Sequence, residues 1–444
     1  MSASEPVGAA LVGELVELEI GPVAHGGHCV ARLDGQVVFV RHTLPGERVR
    51  AVVTEGERGR SFLRADAVEV LDASAHRVRP PCPYAGVCGG CDFQHVDLAE
   101  QRRLKAAVVA EQLRRLARLD LVAQGRAPVV EPVPGDLEGL GWRTRVEFSV
   151  DDAGRAGLRR HRSHEVVPVD TCRIASPGVT GAAVTARTWT DTESVDVTET
   201  STGEVVVTVL PAQDRRERRV VEHVAAAGVE ADLALDARGF WQVHPGAAAT
   251  FVETVLTMLD PRPGERALDL YAGVGLFAVA LAERVGPLGQ VVAVESDRRA
   301  TAYARENLAA QRQAVVLDGR VDDLFGVPRH ERSGGRSRTR HRPRRGARSP
   351  LLPHTADVVV LDPPRIGAGG DVVRAVTALR PRAVAYVACD PAALARDTAT
   401  FGENGYALAG LRCLDAFPMT HHVETIAHFV PEAGGSPRAQ TAQG

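Results

Sequence analysis

The chain has 444 residues, 44% hydrophobic and 25% charged, with a formal net charge of −3. This balance belongs to a globular protein of roughly two to four domains and excludes fibrous or wholly disordered chains. No apolar run reaches the ~18–20 residues of a membrane span, so no membrane partner is expected. The N-terminus has neither a basic region nor a continuous apolar stretch, so no signal peptide is read there and a cytoplasmic location is expected. Aromatic residues are only 4%, which leaves Val, Leu and Ala to fill the core.

Residues 8–72 read as a small all-β unit. ELVELEI, GHCVARL, GQVVFVR and ERVRAVVTE are β-rich runs between turn residues, and their close spacing suggests a small OB-like barrel. Residues 73–239 form a central unit. It opens on a cysteine-rich stretch, continues in a helix over 97–119 with apolar residues at 104, 108, 109, 113 and 116, and ends in β-like runs. From 240 to 432 strands and helices alternate, which implies an α/β, Rossmann-like domain with a parallel sheet. Two late β runs, YALAGLRCLDAF and VETIAHFVPE, are placed at one edge as an antiparallel pair. An insertion over 329–354 interrupts this domain. Its part 329–350 holds nine Arg against one Glu, too polar to bury a core, so a disordered loop is expected there and another after 432. The loop reads equally as an RNA-binding arm or as a linker.

ALDLYAGVGLF is a strand, a Gly-rich turn and a helix start. Gly273 and Gly275 let the backbone pass close to a ligand at the strand's carboxyl end. The next strand ends in Glu295, a carboxylate placed to accept both hydroxyls of a ribose. The spacing suits a dinucleotide or S-adenosylmethionine. The turn lacks the full G-x-G-x-x-G pattern, which favours the second.

The fourth strand ends in LDPPR and the fifth in ACDP. Strand ends of an open α/β sheet face the ligand crevice, so Asp362 and Cys389 belong near the cofactor. Asp390 is a good N-cap and Pro391 a good first helical residue. A cysteine at that helix start is expected to gain thiolate character from the dipole. A thiolate is what uracil chemistry needs. C5 is too weak a nucleophile to attack a methyl sulfonium until a thiolate has added to C6; a base then removes the C5 proton. Glu424, beside His421 and His422, is the candidate base. Asp362 can accept a hydrogen bond from uracil N3–H, which cytosine lacks. Arg365 stands where amino methylation would favour an aromatic residue.

Seven cysteines occur, and in a reducing compartment clustered cysteines indicate a metal or catalysis. Cys82, Cys88 and Cys91 form C-x5-C-x2-C in a Gly-rich loop, and Cys172 can add a fourth thiolate. Four thiolates suit a [4Fe-4S] cluster or tetrahedral zinc. The spacing is not that of radical S-adenosylmethionine enzymes, so a structural or RNA-positioning role is expected.

Together these motifs give the whole chain a clear resemblance. GHCVARLDGQVVFVRHTLPGERVRA is similar to a TRAM domain, and CPYAGVCGGCDFQH to the cluster loop of the S-adenosylmethionine-dependent RNA (uracil-C5-)-methyltransferases of the ribosomal RNA type. FWQVHP, LDLYAGVGLF, LDPPR, ACDPAALARD and HHVETIAHF follow in that family's order. The resemblance implies a [4Fe-4S] cluster on Cys82, Cys88, Cys91 and Cys172. It implies S-adenosylmethionine contacts from Gln242, Tyr271, Glu295 and Asp362, with Cys389 as nucleophile and Glu424 as base. The family often has Asn where Leu276 stands, so one polar cofactor contact is missing; Asp322 is aligned with a polar residue that meets the adenine. The implied substrate is RNA, ribosomal first and transfer RNA as the alternative, with the target base flipped out of its stack. A non-catalytic RNA-binding protein that keeps the fold is the reading from another class. A monomer is expected.

Overall fold

The computed structural model describes residues 11–211, 217–327 and 347–432. The N-terminal unit contains β1 (Leu15–Glu19), β2 (Cys29–Leu33), β3 (Gln36–Arg41), β4 (Arg48–Glu55) and β5 (Phe62–Asp72) in the order β1-β4-β5-β3-β2. Alternate residues point inward, as period-two strands require. Val38 and Val40 of β3, Val49, Ala51 and Val53 of β4, and Leu63 and Ala65 of β5 are all buried. The runs read from sequence cover β1 to β4. The longest strand, β5, pairs parallel with β3 and antiparallel with β4.

α1 (Leu98–Leu116) starts at Asp97, whose side chain accepts the Glu100 N–H at 2.9 Å. Leu104, Val108, Val109 and Leu113 are buried as the spacing predicts. One expectation changes: Leu116 is 40% exposed because the last turn runs past the core. Lys105, a basic residue between the apolar positions, is also buried, its ammonium paired with Asp415.

After β6 (Val130–Pro132), the central sheet is built from β7 (Arg145–Val150), β8 (Ala156–Arg159), β9 (Val166–Pro168), β10 (Ser194–Glu199) and β11 (Val205–Leu210), in the order β11-β10-β7-β8-β9. The short α2 (Pro177–Gly181) lies between β9 and β10. β12 (Arg219–Ala226) and β13 (Val229–Asp236) then form a hairpin. Its Val220, Val224, Leu233 and Leu235 enter the same core as α3 (Ala247–Leu259). The boundary expected at 239/240 therefore falls inside one packed unit. Alternation marks the hairpin as strands but does not say which core it serves.

The C-terminal unit runs β14 (Arg266–Leu270), α4 (Leu276–Val285), β15 (Gln290–Glu295), α5 (Arg298–Asn307), β16 (Ala314–Asp318), α6 (Val321–Leu324), β17 (Val358–Leu361), α7 (Gly370–Ala378), β18 (Ala383–Ala388), α8 (Pro391–Glu403), β19 (Tyr406–Asp415) and β20 (Glu424–Pro431). The eight-stranded sheet has the order β16-β15-β14-β17-β18-β20-β19-β6. β14 to β18 are parallel, and β20 is antiparallel to both its neighbours. β6, from the central segment, adds a parallel edge to β19. Helices cover both faces, so strands such as β17 (VVVL) are apolar throughout and wholly buried. The chain runs outward from β14 through β15 to β16 and then crosses back to β17 on the other side of β14, and this reversal opens a crevice at the strands' carboxyl ends.

Most of the expected Arg-rich loop, residues 328–346, lies outside the described residues, as does the tail from 433. Residues 347–354 do not read as disordered. Leu352 is buried, and the Arg348 guanidinium lies 6.0 Å from the Phe325 ring centroid. One apolar anchor suffices to hold this end of the loop. Among the described residues no helix is long and apolar enough to cross a membrane.

Candidate active site at the carboxyl edge of the sheet

Parallel register brings the ends of β14, β15, β17 and β18 to one edge. Tyr271, directly after β14, has φ +66, a left-handed conformation that costs a bulky residue of order 1–3 kcal/mol and is typical of ligand-binding turns. Gly273 and Gly275 follow with φ +55 and +93, and Gly275 is the N-cap of α4. The Gly273 N–H donates to Glu295 Oε2 at 2.9 Å, so the turn and the end of β15 already meet. Glu295 Oε1 also accepts from the backbone of Ser296 and Asp297. The free carboxylate expected for a ribose is thus held in place by three amides. Asp322, on α6, accepts a two-pronged bond from Arg320 at 3.0 and 2.8 Å and lies within electrostatic reach of Tyr271. Gln242 is half-buried in the connection between β13 and α3.

The crevice is strongly acidic. Asp269 in β14 is fully buried, and among the described residues no side chain hydrogen-bonds its carboxylate; the backbone N–H of Ala278 favours its ionised form but is outweighed. Burial, with the charges of Asp362 and Glu295, pushes it up to about 8. Burial and Glu295 push Asp362 up to about 7. Carboxylates crowded away from water keep their protons unless a cation joins them. Sequence patterning treats Asp269 as an ordinary strand residue; only its isolation in three dimensions marks it.

β18 and β20 supply the reactive groups. Ala388 pairs with Thr425, so the next residues along, Cys389 and Glu424, face each other across the strand ends. Glu424 is 5% exposed, and burial plus the charge of Asp362 raise it well above the usual carboxylate range, with Arg365 opposing. The helix dipole does not win at Cys389. Burial, then Glu424, push the thiol up to about 12, against Arg365. Asp390 takes the N-cap: its Oδ1 accepts the Ala393 N–H at 2.8 Å, so a carboxylate, not the thiol, meets the positive end of α8. The expected thiolate therefore depends on what else enters the crevice.

Comparison with known proteins settles the class. Residues 9–68 match the TRAM domain, and residues 220–429 match the tRNA (Uracil-5-)-methyltransferase family. An uncharacterized RNA methyltransferase of Streptomyces avermitilis is 47% identical, covering 96% of this chain and 100% of the relative. The chain belongs to the RNA (uracil-5-)-methyltransferase family. It is an S-adenosylmethionine-dependent enzyme of that class. The 23S rRNA (uracil(1939)-C(5))-methyltransferase RlmD of Acidithiobacillus ferrooxidans is 31% identical, covering 91% of this chain and 94% of the relative. In fold the chain is similar to the Pyrococcus abyssi tRNA (uracil-54, C5)-methyltransferase in complex with S-adenosyl-L-homocysteine. That likeness has a TM-score of 0.63 at 21% identity and covers 93% of this chain and 99% of that one.

In this RNA methyltransferase the cysteines of the expected cluster come together from distant parts of the chain. Cys88 and Cys91 each feel the charge of both Cys82 and Cys172. The Gly90 N–H points at the sulfur of Cys88 at 3.4 Å and the Gln94 amide at that of Cys91 at 3.3 Å. Backbone N–H groups of Ile174 and Ala175 serve Cys172. Among the described residues no three His, Cys, Asp or Glu side chains close around a single metal ion. Cys29 and Cys413 are buried elsewhere.

A cavity of about 130 Å³ opens above Cys389. His25, Gly27, Lys105, Arg365 and His421 help to line it. His421 Nδ1 lies 2.6 Å from Asp92 Oδ2, and its ring stands 4.1 Å from that of His422. Sequence reading places His421 and His422 near the site but offers no signal for His25, Asp92 or Lys105, which arrive from elements more than 300 residues away.

Proposed function

We propose that this enzyme methylates C5 of a uridine in ribosomal RNA through a transient bond between Cys389 Sγ and C6. The observation that carries the reading is the β18–β20 register, which sets Glu424 opposite Cys389 at the mouth of the acidic crevice. S-adenosylmethionine supplies a methyl group on a positively charged sulfonium, and a crevice holding Asp269, Glu295 and Asp362 fits a cation. Gln242, Tyr271, Gly273, Gly275, Glu295, Asp322 and Asp362 are the residues assigned to hold it.

Each residue then has a task. Cys389 gives up its thiol proton to solvent water, and the thiolate adds to C6; the C5–C6 double-bond electrons move onto C5 and O4. C5 takes the methyl group. Glu424 removes the C5 proton, the double bond re-forms, and the C6–S bond breaks to return the thiolate. Glu424 must be ionised to do this. Its raised affinity for protons comes from burial and Asp362, so positive charge nearby is what frees it. Arg365, the cation that opposes both Glu424 and the rise at Cys389, also suits the developing charge on O4.

The four clustered thiols are assigned to a [4Fe-4S] group. Four soft donors, three of them already facing N–H groups, suit iron–sulfur chemistry. Cys88, Cys91 and Cys172 would hold such a group together with Cys82, which lies within electrostatic reach of all three. Ribosomal RNA is favoured by the relative that methylates 23S rRNA; the family's own description, which speaks of tRNA, supports transfer RNA as the second reading.

RNA containing 5-fluorouridine tests the chemistry, since Glu424 has no proton to remove from C5. With enzyme and methyl donor it should become covalently attached at Cys389, and Glu424→Gln should accumulate the same adduct on ordinary uridine RNA. Absence of any adduct, with product still formed, would exclude the covalent route.

A further inference from the structure

The cavity above Cys389 is completed by the N-terminal barrel. The loop between β1 and β2 brings His25, Gly26 and Gly27 to its wall, opposite Cys389 and Asp390. Two contacts fix the loop there. His25 Nε2 lies 3.0 Å from Asp390 Oδ2, while the other oxygen of Asp390 caps α8 through Ala393. Gly27 has φ +78, and a Cβ at that position would stand 2.6 Å from the Cβ of His421. The barrel backbone therefore rests on the segment that leads into Glu424. One contact adjoins each of the two reactive residues.

We propose that His25 is a positioning residue for the catalytic thiol, gripping Asp390 so that the two-residue turn between β18 and α8 aims Cys389 into a base pocket that the barrel closes. The proposal rests on Cys389 being the nucleophile. Only Cys389 and Asp390 separate the last residue of β18 from the first of α8. A carboxylate held from both sides fixes its own rotamer, and the neighbouring residue moves with it. Electrostatics act in the same sense. Glu424, Asp362 and Asp390 oppose ionisation of the thiol, and Arg365 favours it. An imidazolium on Asp390 offsets one of the opposing charges. The His25 ring is held above its ordinary value by the bond to Asp390, against burial and the charge of Arg396. RNA that repositions the barrel would thereby act on the nucleophile directly.

The test uses full-length protein carrying His25→Ala, His25→Gln or Cys389→Ala. Iodoacetamide alkylation of Cys389 in RNA-free protein is followed against pH by peptide mass mapping, alongside kcat and KM on RNA. His25→Ala should slow alkylation of Cys389 at every pH at which the protein stays folded and lower kcat about tenfold, the scale of one lost bond to a charged group, with KM little changed. His25→Gln, which can still donate to Asp390, should recover part of kcat. An unchanged alkylation profile and kcat, with a raised KM alone, would reduce His25 to a docking contact and overturn the proposal. Turnover by Cys389→Ala would instead remove the underlying nucleophile, and the proposal with it, whatever His25→Ala does.

Discussion

Lys105 Nζ stands 2.5 Å from Asp415 Oδ1, and both side chains are almost wholly out of solvent. The same ammonium donates to the Phe417 carbonyl at 3.0 Å, and Arg102 approaches the other Asp415 oxygen at 3.4 Å. The pair clamps α1 to the end of β19, where the chain begins its path to His421 and Glu424.

Removing one partner leaves a charge stranded in the core. Asp415→Ala should cost about 3–5 kcal/mol of unfolding free energy, read from urea denaturation. The double variant Lys105→Met/Asp415→Leu should recover most of that loss, since neither charge then remains. A single variant with an unchanged midpoint would show that the pair is not under load.

Asp269 predicts a pH dependence. An unfolded chain releases this proton at the ordinary carboxylate value near 4, whereas the folded protein holds it until about 8. Between those values the folded state binds more protons, so this residue destabilises the fold increasingly as pH rises. The stability of Asp269→Asn relative to the parent should therefore grow from pH 4 to a plateau above pH 8, read as the difference in thermal midpoint. A flat difference across that window would mean Asp269 ionises normally.

Asp397 Oδ2 gathers the Tyr386 hydroxyl at 2.5 Å and the Ala368 and Gly369 N–H groups at 2.8 and 3.3 Å. This knot fixes the loop from Asp362 to α7, which carries Arg365. Tyr386→Phe should lose about 1.5–3 kcal/mol, the worth of a hydrogen bond to a charged group, and lower kcat through the loosened loop. Asp397→Ala, which strips all three bonds, should do more of both. Kinetics unaltered by either change would separate the knot from catalysis.

For the cysteine group, Cys91→Ala should abolish bound iron and its visible absorption while leaving S-adenosylmethionine binding intact, because none of the residues assigned to the methyl donor belongs to that group. Iron analysis and calorimetry on anaerobically purified protein give both readings. Zinc in place of iron, or no metal at all, would refute the iron–sulfur assignment. Residual methyl transfer above that of Cys389→Ala would assign the cluster a supporting role.

The sequence alone determined a good deal. Strand–helix alternation, the Gly-rich turn, and Asp-Pro-Pro-Arg and Cys-Asp-Pro at strand ends are local signals, because a parallel sheet sends successive strand ends to one edge. That logic puts Gly273, Gly275, Glu295, Asp362 and Cys389 on one crevice, whereas Tyr271 enters only through the family resemblance. What pairwise distance governs was not legible. The ionisation of Cys389 departs from its helix-start position because burial and a facing carboxylate outweigh a dipole that Asp390 already satisfies. The β12–β13 hairpin and β6 joined a core that their period could not name. The isolation of Asp269, the pairing of Lys105 with Asp415, and the reach of His25 to the nucleophile's turn exist only because segments hundreds of residues apart exclude water together, and no local pattern records which segments will meet.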